Sequence, residues 1–214
     1  MDFLWQENAG GRRGPKKALT LESIADAAIA VADAEGLAAV SMQRVAADVG
    51  FTKMALYRYL PGKAELVAVM LERAMGEPPV LSPEDWRAAL TRWSEALISV
   101  FVGHPWAIEA STGSRPVGPN ELRWMEAALA VLPGGLTGAE RMDTIAVVAG
   151  LVRALVVQPA ESGLITAITE HADRFPAISA ALADMAVHGG QDQAFRFGLA
   201  RLLDGLETLI TQRV

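Results

Sequence analysis

Apolar positions recur along this chain at spacings of three and four, and strand-like single alternation is absent, so the pattern predicts helices throughout. Ile24, Ala28, Val31 and Ala32 share one helical face. Thr20 before them suits an N-cap, Glu22 favours the positive helix start and Gly36 ends the run, which predicts a first helix over about residues 21–35. Ser41 opens a short second helix ending near Val49, Thr52 opens a third closed by Pro61-Gly62, and a fourth runs from about Lys63 to Met75. Between the second and third, Ala46 is small where two helices cross closely, Gly50 can take the positive φ of a tight turn, and Leu56 seats the following helix. Residues 45–66 therefore read as a helix-turn-helix with the start of the helix after it.

The loop at 76–83, with three prolines, marks a boundary. It separates an N-terminal domain of residues 19–66, with the fourth helix to about 75 as connector, from a C-terminal domain of residues 82–214. Beyond it, Trp86, Leu90, Trp93, Leu97, Val100 and Phe101 predict a long helix over Pro83–His104, interrupted by Pro105. Helices from Trp106 to about Thr112 and from Asn120 to Leu132 follow. Met142–Val157 is apolar nearly all round, which implies burial on more than one side. Phe195, Leu199, Leu202, Leu206 and Leu209 form a coiled-coil-like seam, widened by Leu203 and Ile210. Helices at about 142–158 and 192–211 from each of two subunits would make a four-helix homodimer interface, the alternative being packing inside one subunit. The fold expected is all-α: an N-terminal three-helix helix-turn-helix domain and a helical C-terminal ligand-binding and dimerisation domain.

A mean hydropathy of +0.25 over 214 residues is high for a soluble monomer and supports apolar surface hidden in a partner. The longest near-continuous apolar run, Ile145–Val157, contains Gly150 and Arg153 and falls short of the roughly 20 residues of a membrane span. No export signal is visible, so a cytoplasmic location is expected. The absence of cysteine excludes disulfides, thiolate metal sites and thiol redox sensing.

The net charge of −6 lies wholly beyond residue 75, because the first 75 residues hold nine Lys/Arg and nine Asp/Glu. Within those 75, Arg12, Arg13, Lys16 and Lys17 form a basic run in a Gly-rich arm, residues 1–18, although Phe3, Leu4 and Trp5 are apolar for such an arm. No carboxylate stands between Asp48 and Glu65, while Lys53, Arg58 and Lys63 fall in that window. A surface offered to phosphates has this composition, and an acidic body behind it turns the basic end toward DNA.

Residues 18–66 resemble the DNA-binding domain of the tetracycline-repressor-like (TetR) family of bacterial transcriptional regulators. The resemblance is carried by Leu19-Thr20-x-Glu22-x-Ile24, Gly36-Leu37, Ser41-Met42, Val45-Ala46, Gly50, Ala55-Leu56-Tyr57, Tyr59 and Lys63-x-x-Leu66. His104-Pro105-Trp106, Gly118-Pro119-Asn120, Phe175-Pro176 and the stretch 195–207 resemble one branch of the family's C-terminal domain. The resemblance implies a ligand-responsive repressor that binds a palindromic double-stranded DNA operator as a homodimer and is released by a small molecule. It places Thr52, Lys53 and Tyr57 where a recognition helix faces the major groove, and Tyr59 and Lys63 at phosphate-contacting positions. Met54 and Arg58 share a second face of that helix, with the choice between them as base reader left open. Arg44 could reach the DNA backbone or be an ordinary surface arginine, and the arm's four basic residues resemble extensions that enter a minor groove, the alternative being a charged tail that serves solubility. For Tyr59 the alternative is core packing, and for Lys63 a solvated lysine; a cation in a helix's first turn costs roughly 0.3 to 1 kcal/mol, which a nearby phosphate would remove.

For the effector, Trp93, Phe101, Trp106, Trp124, Met125 and Met142 could line an apolar pocket, against a default of core packing; His104 could orient a ligand or cap the helix end, and Arg153 could anchor a ligand or be satisfied within the fold together with Gln158. No cofactor is implied. His104, His171 and His188 lack metal-ligand spacing. Where the tetracycline repressor carries a histidine three residues before Thr-Arg-Pro, this chain has Ser111 before Ser114-Arg115-Pro116, which argues against a magnesium-chelated tetracycline, and the apolar lining suits an apolar, aromatic or polyketide-like effector. A small helical enzyme, or a ligand-binding protein with an incidental helix-turn-helix, is the rival reading. An enzyme would need an activated nucleophile or an acid–base pair, and the sequence offers neither.

Overall fold

The structure, a computed structural model, describes residues 4–5, 19–156, 164–189 and 193–213. Among these the regular elements are all helical, with eleven α-helices and three short 3-10 turns. The four N-terminal helices are α1 (Leu21–Glu35), α2 (Met42–Val49), α3 (Lys53–Leu56) and α4 (Lys63–Met75). Then come α5 (Trp86–Gly103), α6 (Trp106–Thr112), α7 (Pro119–Val131), α8 (Gly138–Val156), α9 (Leu164–Glu170), α10 (Pro176–His188) and α11 (Ala194–Thr211).

Local capping sets the first boundaries. Thr20 and Ser23 form a reciprocal capping box at the start of α1, each side chain bonding the other's backbone N–H. Ser41 caps α2 through the Arg44 amide, and Thr52 caps α3 through the Ala55 amide. Gly50 takes the left-handed conformation at φ 80° and ψ 30°, and the Phe51 amide returns to the Ala46 carbonyl at 2.9 Å. A side chain at Gly50 would strain the turn between α2 and α3. Ile24, Ala28, Val45, Ala46, Leu56, Leu60 and Leu66 close the core around that turn.

The expected helix over Pro83–His104 enters differently. Residues 83–85 form a 3-10 turn because Ser82 caps the Glu84 amide and Asp85 then caps the Ala88 amide, so the α-helix proper starts at Trp86. The pattern of apolar residues had not marked α9 and α10. The seven residues of α9 are too few to show a period, and α10 is apolar nearly all round with no buried residue, so it presents no stripe.

The chain divides into two compact units between Ile145 and Ala146. In the first, α1 packs on α2 and α4, and α4 also packs on α6 and α7, which in turn meet α5. In the second, Gly198 of α11 lies against Leu151 of α8, where an added Cβ would come within 3.2 Å of the leucine. Leu199 and Leu203 are the buried residues of α11, whereas Phe195, Leu202, Leu206 and Leu209 of the expected seam are only half-buried. In α8, Ile145, Val148 and Val152 are buried while Met142 and Val147 stay about half exposed.

Candidate nucleic-acid interface

The face built by α3 and its following turn gathers Thr52, Lys53, Met54, Tyr57, Arg58 and Tyr59, all exposed. Buried Leu56 and Leu60 anchor that segment from beneath, so its outer side chains are presented on a packed base. Met54 is 72% exposed and stands beside Tyr57 and Tyr59, so the apolar surface of this segment is grouped on one face. The Lys53 ammonium lies 5.4 Å from the centre of the Tyr57 ring, which holds the two side chains together. Among the described residues neither Lys53 nor Arg58 has a carboxylate partner, so both charges remain available at the surface.

The other sequence-picked cations are engaged within the fold. Arg44 bonds Glu35 at 2.9 Å and Asp48 at 3.1 Å. Hydrogen bonding to Glu35, then its charge, then the same two effects from Asp48, raise the arginine's pKa further above its ordinary value. Lys63 donates from Nζ to the Leu37 carbonyl at 3.2 Å, so its partner here is a neutral oxygen. The Tyr59 hydroxyl donates its single proton to the Leu19 carbonyl at 2.8 Å, tying the end of the α3 segment to the entry of α1. Arg12, Arg13, Lys16 and Lys17 lie outside the described residues.

The aromatic residues behind this face are buried. Trp93, Phe101, Trp106 and Trp124 are each at most 5% exposed. Trp93 and Trp124 meet edge to face with ring centres 6.0 Å apart. The Trp93 indole N–H donates to the Trp124 carbonyl at 2.9 Å and that of Trp124 to the Gly76 carbonyl at 3.1 Å. His104 and Trp106 converge instead on Asp33 of α1, with Nδ1 and Nε1 at 2.9 and 2.7 Å from the same carboxylate oxygen. Met125 is half-buried, Met142 is 47% exposed, and half-buried Arg153 belongs to the second unit.

Comparison with known proteins fits this arrangement. Residues 24–70 match the family model of bacterial regulatory proteins of the tetR family, and residues 78–210 match the tetracyclin repressor-like C-terminal domain. The HTH-type transcriptional repressor DrrR1 of Streptomyces coeruleorubidus is 37% identical, with all of this chain and 86% of DrrR1 covered. This chain belongs to the TetR family of transcriptional regulators. Its fold is shared with apo ActR of Streptomyces coelicolor, with a TM-score of 0.78, 24% identity and coverage of 95% of this chain and all of that one. ActR in complex with actinorhodin aligns with a TM-score of 0.73 and 25% identity, over 89% of this chain and 96% of that one.

Sequence reasoning passed over three acidic residues that organise this TetR-family regulator. Asp33 and Glu35 stand in the last turn of α1 and Glu72 in the last turn of α4, where the helix dipole disfavours negative charge. Each has a partner from elsewhere: His104 and Trp106 for Asp33, Arg44 for Glu35, and the first amides of α7 for Glu72. Acids at the wrong end of a helix were the available signal. They announce that a partner exists without naming it.

Proposed function

We propose that this TetR-family chain is a cytoplasmic repressor that binds a palindromic DNA operator as a homodimer and leaves it when a small apolar or aromatic effector binds. The observation that carries the reading is the α3 face, where Lys53, Met54, Tyr57 and Arg58 project from a packed helix-turn-helix with no carboxylate among them. Lys53 and Tyr57 read base edges in the major groove, Met54 offers an apolar contact to a thymine methyl, and Thr52 sets the start of the reading helix. Lys63 and Arg58 grip phosphates, and the arm residues Arg12, Arg13, Lys16 and Lys17 reach the adjacent minor groove. Arg44 and Tyr59 shape the head, since two carboxylates pair with the first and the hydroxyl of the second donates its hydrogen bond to the Leu19 carbonyl.

The half-exposed apolar faces of α8 and α11 support a homodimer, which a short reading helix needs in order to contact two half-sites roughly 34 to 36 Å apart. For the effector, support comes from the aromatic body around Trp93, Phe101 and Trp124 and from the relative ActR, solved in complex with actinorhodin. Ligand entry there requires these side chains to open, with one state favoured by DNA and the other by effector.

Selection of bound duplexes from a random pool tests the reading. A palindrome should emerge, Lys53→Ala should relax preference at one position of each half-site at a cost of about 1 to 3 kcal/mol, and Lys63→Ala should weaken all sequences alike and flatten the salt dependence. Recovery of no sequence above the random background would sink it.

A further inference from the structure

Glu72 occupies a position that its own helix does not favour, yet both of its carboxylate oxygens are used. One accepts from the Asn120 amide at 2.8 Å and the other from the Glu121 amide at 3.1 Å, so an α4 side chain caps the N-terminus of α7. The natural cap position of α7 is Gly118, which offers no side chain of its own. A Cβ added there would fall 2.2 Å from the Glu72 carboxyl carbon, so the glycine leaves the space that the carboxylate fills. The contact is reciprocal, because the Asn120 side chain donates to the Glu72 backbone carbonyl at 2.9 Å.

Both ends of this joint are held. Arg115, whose side chain is 6% exposed, pairs with Glu121 at 2.7 Å and donates to the Ala110 and Pro116 carbonyls, which fixes the loop between α6 and α7. On the other side, α4 is bound into the head by Arg73 with Asp26 of α1 and by Lys63 with the Leu37 carbonyl. If the start of α7 moves, either α4 follows or a half-buried carboxylate loses two donors while two helix-terminal amides lose their acceptor. A loss of that kind is costly enough to couple the two motions.

We propose that Glu72 is the positioning residue through which α7 sets α4, and with it the reading head, so that operator binding and the state of the α7 N-terminus are thermodynamically linked. The inference rests on the operator-binding reading above. Linkage is reciprocal, so DNA on the head must be felt at Asn120 and Glu121.

Amide hydrogen exchange at Asn120 and Glu121, measured on the full chain with and without the selected operator duplex, tests it, with operator binding followed in the same samples by mobility shift. Operator should slow exchange at both amides by about fivefold or more in the wild type. Glu72→Gln keeps the size and removes the charge, and Gly118→Ala displaces the carboxylate without altering it; in each, the operator-linked slowing should vanish while DNA is still bound. Operator binding with no change at these amides in the wild type would overturn the linkage and leave the operator reading intact. The same slowing in the wild type and both variants would make Glu72 a purely structural cap, as would the unfolding of both variants. Failure of the wild type to bind any duplex would overturn both readings.

Discussion

The reading head and the second compact unit handle their apolar residues in opposite ways. In the head, residues 19–75, the large exposed apolar side chains are Met54, Tyr57 and Tyr59, all on the α3 segment. The other large apolar side chains of the head are buried or half-buried. In the second unit, Val147, Phe175, Ile178, Met185, Val187 and Phe197 are all exposed among the described residues, and α10 buries nothing. The head's exposed apolar side chains are confined to the one face proposed to read DNA, whereas the second unit spreads its apolar surface in the way expected of the proposed dimer interface. A second copy is the simplest completion, because it supplies the same half-buried seam in return.

The contrast can be broken most forcefully at that seam. Leu202→Asp combined with Leu206→Asp places four carboxylates across the proposed two-fold interface; dimer affinity should drop by on the order of a thousandfold, read by sedimentation, with operator affinity following. An unchanged dimer would move the interface elsewhere. Next in size is the head's own closure. Leu56 is fully buried under the reading segment, so Leu56→Ala should cost about 2 to 5 kcal/mol in thermal or denaturant unfolding of the head. A loss well under 1 kcal/mol would mean that the head's core is less complete than its burial implies. Smaller again is Thr20→Ala, which removes half of the α1 capping box and should cost about 1 kcal/mol without altering sedimentation.

The smallest effect concerns the joint behind the head. Burial raises the Glu72 carboxyl above its ordinary value of 4.5; the Asn120 and Glu121 amides oppose the shift, Glu121 charge adds to it and Arg115 lowers it. The folded state then holds this proton more tightly than the unfolded chain. Its contribution to stability is fully present below pH 4.5 and is lost as pH rises through the folded value. The melting temperature of the wild type relative to Glu72→Gln should therefore decline with pH across that window, and a relative increase would reverse the sign.

The head was legible because its instructions are local. Thr20, Ser41, Gly50 and Thr52 act on backbone groups within a few residues of themselves, and the helices begin and end where those residues stand. Within the third helix, spacing marked Leu56 as the residue that seats it, whereas the outward residues of that segment were placed by the family resemblance. Helix α10 was not legible: it is shorter than the apolar helix over Met142–Val157, and with no buried residue it shows no stripe for a period to reveal. The roles of Arg44, Lys63 and Tyr59 were only half legible. Their exposure could be expected, whereas their partners could not.

By itself, then, the sequence determined the helical class, the starts of the N-terminal helices, the turn at Gly50, the basic bias of one end and the family, whereas the third helix, expected to close at Pro61-Gly62, already ends at Leu56. Tertiary structure alone decided which charges are neutralised and which remain free. Asp33 finds His104 across 71 residues, Glu72 finds Asn120 across 48, Tyr59 finds Leu19 across 40 and Lys63 finds Leu37 across 26. The physical reason is one of range. A cap or a turn is formed by neighbours whose distance the covalent chain already sets, while a partner dozens of residues away is brought within hydrogen-bond distance only after helix faces have chosen how to pack.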